Sequence, residues 1–161
     1  MSYLIRFQSN ILGILVLIIL HLFVKLSTIK TFSKMLIKLM IYAVAASLIV
    51  EPLSWILDDR RFTGAFILNH VFNFLLFLLA PVLAGLFMSY LVYRIYRNPL
   101  RIHDIRFYQQ MTLVSFMILL VNLWIPIYYS IDPVTNHYDG YGPLKWFHYL
   151  MVLGFYSYML Y

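Results

Sequence analysis

Apolar positions in this chain come in five long runs broken by short polar connections. The runs cover about Leu4 to Val24, Met35 to Leu57, Gly64 to Tyr96, Ile105 to Ile127, and Leu144 to Tyr161. Each is close to the roughly 20 residues that a helix needs to cross a bilayer. In lipid every backbone group must be satisfied within the chain, so each run is expected to be helical. No alternation of apolar and polar positions recurs over successive segments, which argues against a barrel. The expected fold is all-α: a polytopic membrane bundle of about five transmembrane helices, taken as one domain over residues 1–161. The third run is long. Gly64 to Arg94 spans about 46 Å at 1.5 Å per residue, so it should tilt, kink at Pro81, or extend past the membrane. Near the N-terminus, Arg6 is followed by an apolar stretch from Ile11 to Val24 that ends at Lys25 without a small-residue cleavage site. This reads as an uncleaved span and not a leader.

Charge gives the runs a direction. Lys25, Lys30, Lys34 and Lys38 cluster in the first connection, and Arg94, Arg97, Arg101 and Arg106 in the third. The second connection pairs Arg60 and Arg61 with Asp58 and Asp59, and the fourth, Asp132 to Pro143, has no lysine or arginine. Cations collect on the cytoplasmic side. Connections one and three are therefore expected inside, and the N-terminus outside. Arg60 and Arg61 count against that orientation, two cations against eight.

Composition agrees with a lipid solvent. The chain is 63% hydrophobic and 11% charged, with mean hydropathy +0.84, against about 25% charged residues in soluble domains. The net charge of +6 is spread over loops without a basic stripe, so the expected partner is the lipid bilayer and its anionic headgroups, and not nucleic acid. Cysteine is absent, which removes disulfides and thiol chemistry.

The candidate chemistry lies in polar groups inside the apolar runs. Glu51 stands about six residues from the outer end of the second run, where a charge costs about 3 kcal/mol or more unless it is paired or protonated. Ala43, Ser47, Glu51, Trp55 and Asp58 recur at helical spacing on one face, which should meet other helices. Asn69, Asn73, Ala80 and Ala84 form a matching stripe with His70 beside it. Thr112, Ser115, Asn122 and Pro126 form a third, and the fifth run adds Trp146 and His148. The candidate ligand-binding set is Glu51, Trp55, Asp58, Asn69, His70, Asn73, Asn122 and His148, lining a polar cavity open to the outside for a small extracellular or membrane-borne ligand. Trp55 and Trp124 are expected near the same level. Each Asn or His could equally be interhelical glue worth roughly 0.6–2 kcal/mol. Glu51 is expected to pair with His70, or with Arg60 or Arg61. No catalytic residue, metal site or cofactor is expected. The loop Asp132 to Asp139, with His137, reads as a turn-rich connection and not a metal site. His21 reads as a packed or snorkelling residue, and His103 and Asp104 as part of a solvated basic loop. No phosphate loop, nucleophile elbow or paired ligand histidines occur, so an enzyme is not expected in these residues. A small transporter or permease-like subunit is the alternative, weakened by the lack of an internal repeat.

Several motifs, in order along nearly the whole chain, carry a family resemblance. They are Trp55-Ile-Leu-Asp58, Phe62-Thr-Gly64-Ala65, Leu68-Asn69, Pro81 in a long third span, Tyr93-Arg94-Ile95-Tyr96, Tyr129-Ser-Ile131-Asp132, Asn136-His-Tyr138 and Gly142-Pro143. With these, the chain resembles the N-terminal multi-span membrane region of Gram-positive bacterial signalling proteins that end in a GGDEF (diguanylate cyclase) domain. The chain departs from that pattern at Asp139-Gly140-Tyr141, where a basic residue would precede the Gly-Pro step. The resemblance implies a sensory and anchoring domain in the bacterial plasma membrane. Its cytoplasmic output domain would lie beyond the apolar end at Tyr161, and pairing of two such domains would make a homodimer. GTP, magnesium and cyclic di-GMP would belong to that output domain, and related membrane regions could feed a histidine kinase instead.

Overall fold

A computed structural model describes residues 2–28, 31–101 and 106–158. Five helices account for most of them: α1 (Ser2–Leu26), α2 (Thr31–Leu57), α3 (Ala65–Tyr96), α4 (Arg106–Asn122) and α5 (Lys145–Tyr158). Between α4 and α5 lies a hairpin of two short strands, β1 (Ser130–Ile131) and β2 (Tyr138–Asp139), antiparallel with Ser130 opposite Asp139 and Ile131 opposite Tyr138. Among the described residues, three helices are long and apolar enough to cross a membrane: Phe7–Leu26, Thr31–Leu57 and Ala65–Tyr96. The described parts of α4 and α5 run about 25 and 21 Å at 1.5 Å per residue, against a hydrocarbon core about 30 Å thick. Lys30, His103, Asp104 and the chain end at Tyr161 lie outside the described residues.

The short connections make successive helices antiparallel, so the molecule has two ends. One carries the α2–α3 turn and the hairpin; the other carries the α1–α2 and α3–α4 connections with their lysines and arginines. At this basic end Lys34 Nζ donates to the carbonyls of Lys25 (2.7 Å) and Ser27 (3.1 Å), which closes the last turn of α1.

Helix α3 is the hub, packing against α2, α4 and α5, while α1 lies against α2. Its buried positions Ala65, Asn69, Asn73, Phe77, Pro81, Ala84 and Met88 follow steps of three and four along one stripe. The stripe expected from Asn69, Asn73 and Ala84 is thus the one that faces the bundle. Left-handed residues bound the helix, Gly64 (φ 92°) before it and Arg97 (φ 55°) after it. Pro81 sits inside α3 and Pro52 inside α2 without ending either helix. Each leaves one carbonyl, four residues back, without its helical partner. Two apolar clusters fill the interior. Ala84, Met88, Tyr108 and Met151 join α3, α4 and α5 toward the basic end. Phe77, Leu119, Tyr128, Tyr129 and Ile131 join α3 and α4 to the hairpin.

The fourth run differs from expectation. The helix was expected to reach Ile127 but ends at Asn122, whose Oδ1 accepts N–H groups from Ile127 (2.8 Å), Tyr128 (2.6 Å) and Tyr129 (3.3 Å) while Nδ2 donates to Tyr129 O (3.1 Å). One side chain satisfies a turn that the backbone cannot satisfy by itself, and it folds Tyr128 and Tyr129 back under the bundle, where both are fully buried. Gly142 then closes the loop by donating to Tyr128 O (3.2 Å). A Cβ on Gly142 would run into the backbone of Ile127 and Tyr128. Gly142→Ala is therefore expected to destabilise the chain by roughly 1–3 kcal/mol, while Gly154→Ala, which meets nothing within 4 Å, should be neutral or slightly stabilising. Denaturant unfolding in detergent micelles reads both.

Candidate functional site: a polar cavity at the hairpin end

A cavity of about 390 Å³ opens at the hairpin end. Helix α2 supplies Glu51, Ser54 and Trp55 to its wall, the turn after it supplies Asp58, and α3 supplies Asn73, Leu76, Phe77 and Ala80. Tyr138 of the hairpin and His148 and Tyr149 of α5 complete it. Five of the eight expected residues therefore meet here: Glu51, Trp55, Asp58, Asn73 and His148. The faces of α2 and α3 that the sequence spacing marked as polar and small are the ones that leave this space between them.

The other three expected residues lie elsewhere. Asn69 is fully buried and bound to the hairpin. Asn122 is the α4 turn described above. His70 faces an apolar groove with Phe66, Phe74, Leu120 and Leu123; its ring meets the Phe66 ring edge-on at 4.6 Å, and its carbonyl accepts the Tyr129 hydroxyl. The expected partners of Glu51 are also replaced. Neither His70 nor Arg60 nor Arg61 lines the cavity. Glu51 Oε2 instead accepts a hydrogen bond from Asn10 Nδ2 of α1 at 3.4 Å. Asn10 is the buried polar residue of the first apolar run. An amide inside an apolar run was the available signal, since such a group needs a partner in lipid, though Gln8 and Ser9 beside it carry the same signal and are exposed. Trp55 and Trp124 share this end, but Trp124 lies past the end of α4 and is 79% exposed. Trp146 is exposed and stands outside the wall. His21 packs against the Tyr42 ring at 5.6 Å, as a packed residue should.

The roof of the cavity is held by Asn136, which the sequence reading treated as loop. Its backbone is left-handed (φ 58°), a conformation Asn tolerates better than most residues. Its Nδ2 donates to Leu57 O (2.7 Å) and Arg60 O (2.9 Å), two carbonyls at the end of α2. Its Oδ1 accepts from Asn69 Nδ2 (3.2 Å), and Asn69 Oδ1 accepts from Asn73 Nδ2 (2.8 Å). Beside this chain of amides, Asp58 Oδ1 accepts the Tyr138 N–H at 2.7 Å. His137 Nδ1 lies 3.0 Å from Asp59 Oδ1 and 3.7 Å from Asp58 Oδ1. The ligand-capable atoms of Asp58, Asp59 and His137 fall within 4.8 Å of one another, but they already bind each other and the hairpin backbone, so they read as a clasp. Asp132 pins the tip of the hairpin, where the N–H of Val134 above all, and then that of Thr135, hold its carboxyl below the ordinary carboxylate range.

Aromatic rings make the inner wall. Phe77 stacks on Tyr128 (5.7 Å) and Tyr129 (5.4 Å) and meets His148 edge-on at 4.9 Å. His148 is only 3% exposed, and its Nδ1 has no hydrogen-bond partner. Burial pushes the Tyr138 hydroxyl up to about 12, with Tyr149, Asp139 and Asp58 adding repulsion.

The chain was compared with protein-family models, curated proteins and solved structures, and it matches none of them.

Asn136→Gly keeps the left-handed backbone, the Asn69 Nδ2 bond to its carbonyl and the Arg60 N–H bond to Leu57 O, but it strands Arg60 O and removes the side-chain bonds to Leu57 O and Asn69, so it is expected to cost roughly 1–3 kcal/mol in micellar unfolding. Because the folded state raises the Tyr138 value from 10.0 to about 12, its contribution is intact below pH 10 and is lost as pH rises from about 10 to 12. The loss should be about 1–2 kcal/mol. A pH series of unfolding midpoints should show an alkaline loss that is smaller by this amount in Tyr138→Phe, the remainder coming from Tyr128 and Tyr129, whose hydroxyls burial also raises.

Proposed function

We propose that this chain is a multi-pass membrane sensory domain that takes a small ligand from the extracytoplasmic side. The observation that supports it best is the cavity itself, partly aromatic with carboxylates in its wall, at the end opposite the described cations of the first and third connections. With those cations in the cytoplasm, the N-terminus and the cavity lie outside, and α4 and α5 complete a five-span bundle. Three helices and the hairpin share the cavity wall, so a ligand bridging them favours one packing of α2, α3 and α5 over another. Such a ligand shifts the population of states only by its difference in affinity between them.

The resemblance to the membrane regions of GGDEF proteins supplies the output: a bacterial diguanylate cyclase whose paired catalytic domains respond to that packing. A small transporter is the second reading, favoured by one observation, a buried-end carboxylate whose hydrogen-bond partner is the neutral amide of Asn10.

The gene is expected to continue in frame past Tyr161 into a GG[DE]EF motif; a stop codon there would overturn the cyclase assignment. In the full-length protein, Ala80→Trp fills the cavity and should leave cyclic di-GMP output insensitive to the growth medium. Proton-coupled solute uptake by the reconstituted chain, lost in Glu51→Gln, would favour the transporter instead.

A further inference from the structure

Resting on the sensory reading of this cavity, we infer that its ligand is a small organic cation, an ammonium group held by Glu51 and faced by aromatic rings. The sign of the site comes first. Two carboxylates, Glu51 and Asp58, stand in the wall, and no lysine or arginine does. Among the described residues Glu51 forms no ion pair with a lysine or arginine; its side-chain partner is the Asn10 amide. Asp58 faces His137 at 3.7 Å and the Tyr138 N–H at 2.7 Å, so its charge is shared with the hairpin. Glu51 is the carboxylate left for a ligand. An anion placed here would meet two like charges at low dielectric, and a cation would meet two opposite ones.

The wall is the second observation. Trp55, Tyr138 and Tyr149 contribute rings to a space of about 390 Å³, at the small end of the range for ligand pockets, with Phe77, stacked on Tyr128 and Tyr129, behind them. Aromatic faces attract cations through their quadrupole, and the attraction grows to about 2 kcal/mol when the site excludes water. Tyr149 already shows this behaviour: Lys145 Nζ stands 5.8 Å from its ring centroid. The third observation is His148. It lines the cavity, is 97% buried by its 3% exposure, and has an Nδ1 with no partner in the protein. Whether that nitrogen donates or accepts is set by the tautomer of the ring. Carboxylate and rings together match a charged nitrogen on a compact body, and match a sugar or a carboxylic acid poorly.

The test uses the whole chain in lipid nanodiscs. The chain has three tryptophans; Trp124→Phe with Trp146→Phe, both exposed positions, leaves Trp55 as the reporter. Tetramethylammonium and its uncharged near-isostere tert-butanol are titrated against Trp55 emission, with acetate and glucose in parallel. A saturable response to tetramethylammonium is expected, at least roughly tenfold tighter than to tert-butanol. Glu51→Gln should remove that preference and Glu51→Asp should restore part of it, with circular dichroism melts confirming that both variants fold. Equal binding of the two probes, a preference untouched by Glu51→Gln, or no response to the cation overturns the inference. Saturation by acetate or glucose alone would overturn the cation while leaving the sensory reading intact. Silence with every probe, together with medium-sensitive output in Ala80→Trp, would overturn both.

Discussion

The satisfaction of backbone carbonyls at the end of α2 is the constraint on which the hairpin end depends. A helix leaves its last carbonyls without helical partners; here Leu57 O accepts from the Arg60 N–H, and both Leu57 O and Arg60 O, in the turn that follows, accept from a single side chain, Asn136, that is distant in sequence. Once Asn136 is placed there, the hairpin must lie over the α2–α3 turn. Asn69 and Asn73 then follow, because each buried amide needs the next one. Tyr138 is two residues from Asn136, so the same bonds set the roof of the cavity. The Asp58–Tyr138 and Asp59–His137 contacts hold this roof from the solvent side.

Under the roof, aromatic packing replaces hydrogen bonding as the organising force. Phe77 touches Tyr128, Tyr129 and His148 at once, so α3, the α4 turn and α5 converge on one ring. That convergence needs α4 to end early. Had it run on to Ile127, Tyr128 and Tyr129 would have risen along the helix axis and could not have folded beneath it. Asn122 decides this by binding three N–H groups in succession. Toward the basic end the packing is plainer, small on large between Ala84, Met88, Tyr108 and Met151. Polar groups concentrate at one end of the bundle and apolar packing at the other, and the cavity sits at the polar end.

Charge follows the same axis. Glu51, Asp58, Asp59, Asp132 and Asp139 are at the hairpin end with Arg60, Arg61 and Lys145, and the described cations of the first and third connections, Lys25, Lys34, Lys38, Arg94, Arg97, Arg101 and Arg106, are at the other. The carboxylate of Glu51 tolerates its place through a neutral donor from α1, and this bond is also a polar tie between that helix and α2. A group that serves both as tie and as cavity wall links the seating of α1 to whatever occupies the cavity.

Much of this was legible in the sequence. Length, lipid character and helix starts follow from uninterrupted apolar runs, because a backbone without water has to bond to itself: α3 begins one residue after Gly64 and ends at Tyr96 as the pattern required. The polar faces of α2 and α3 were legible for the same geometric reason, and with them Glu51, Trp55, Asp58, Asn73 and His148. The tertiary structure alone decided which amides face a cavity and which bind backbone. Asn69, Asn73 and Asn122 look alike in an apolar run, and what separates them is where distant carbonyls and N–H groups fall. It alone gave Glu51 its partner, since Asn10 reaches it across 41 positions, and it alone gave Asn136 its role across 79. Periodicity fixes what one helix presents to its neighbours; which neighbour arrives depends on the loops that turn the chain back, and those are held by contacts that no local pattern encodes.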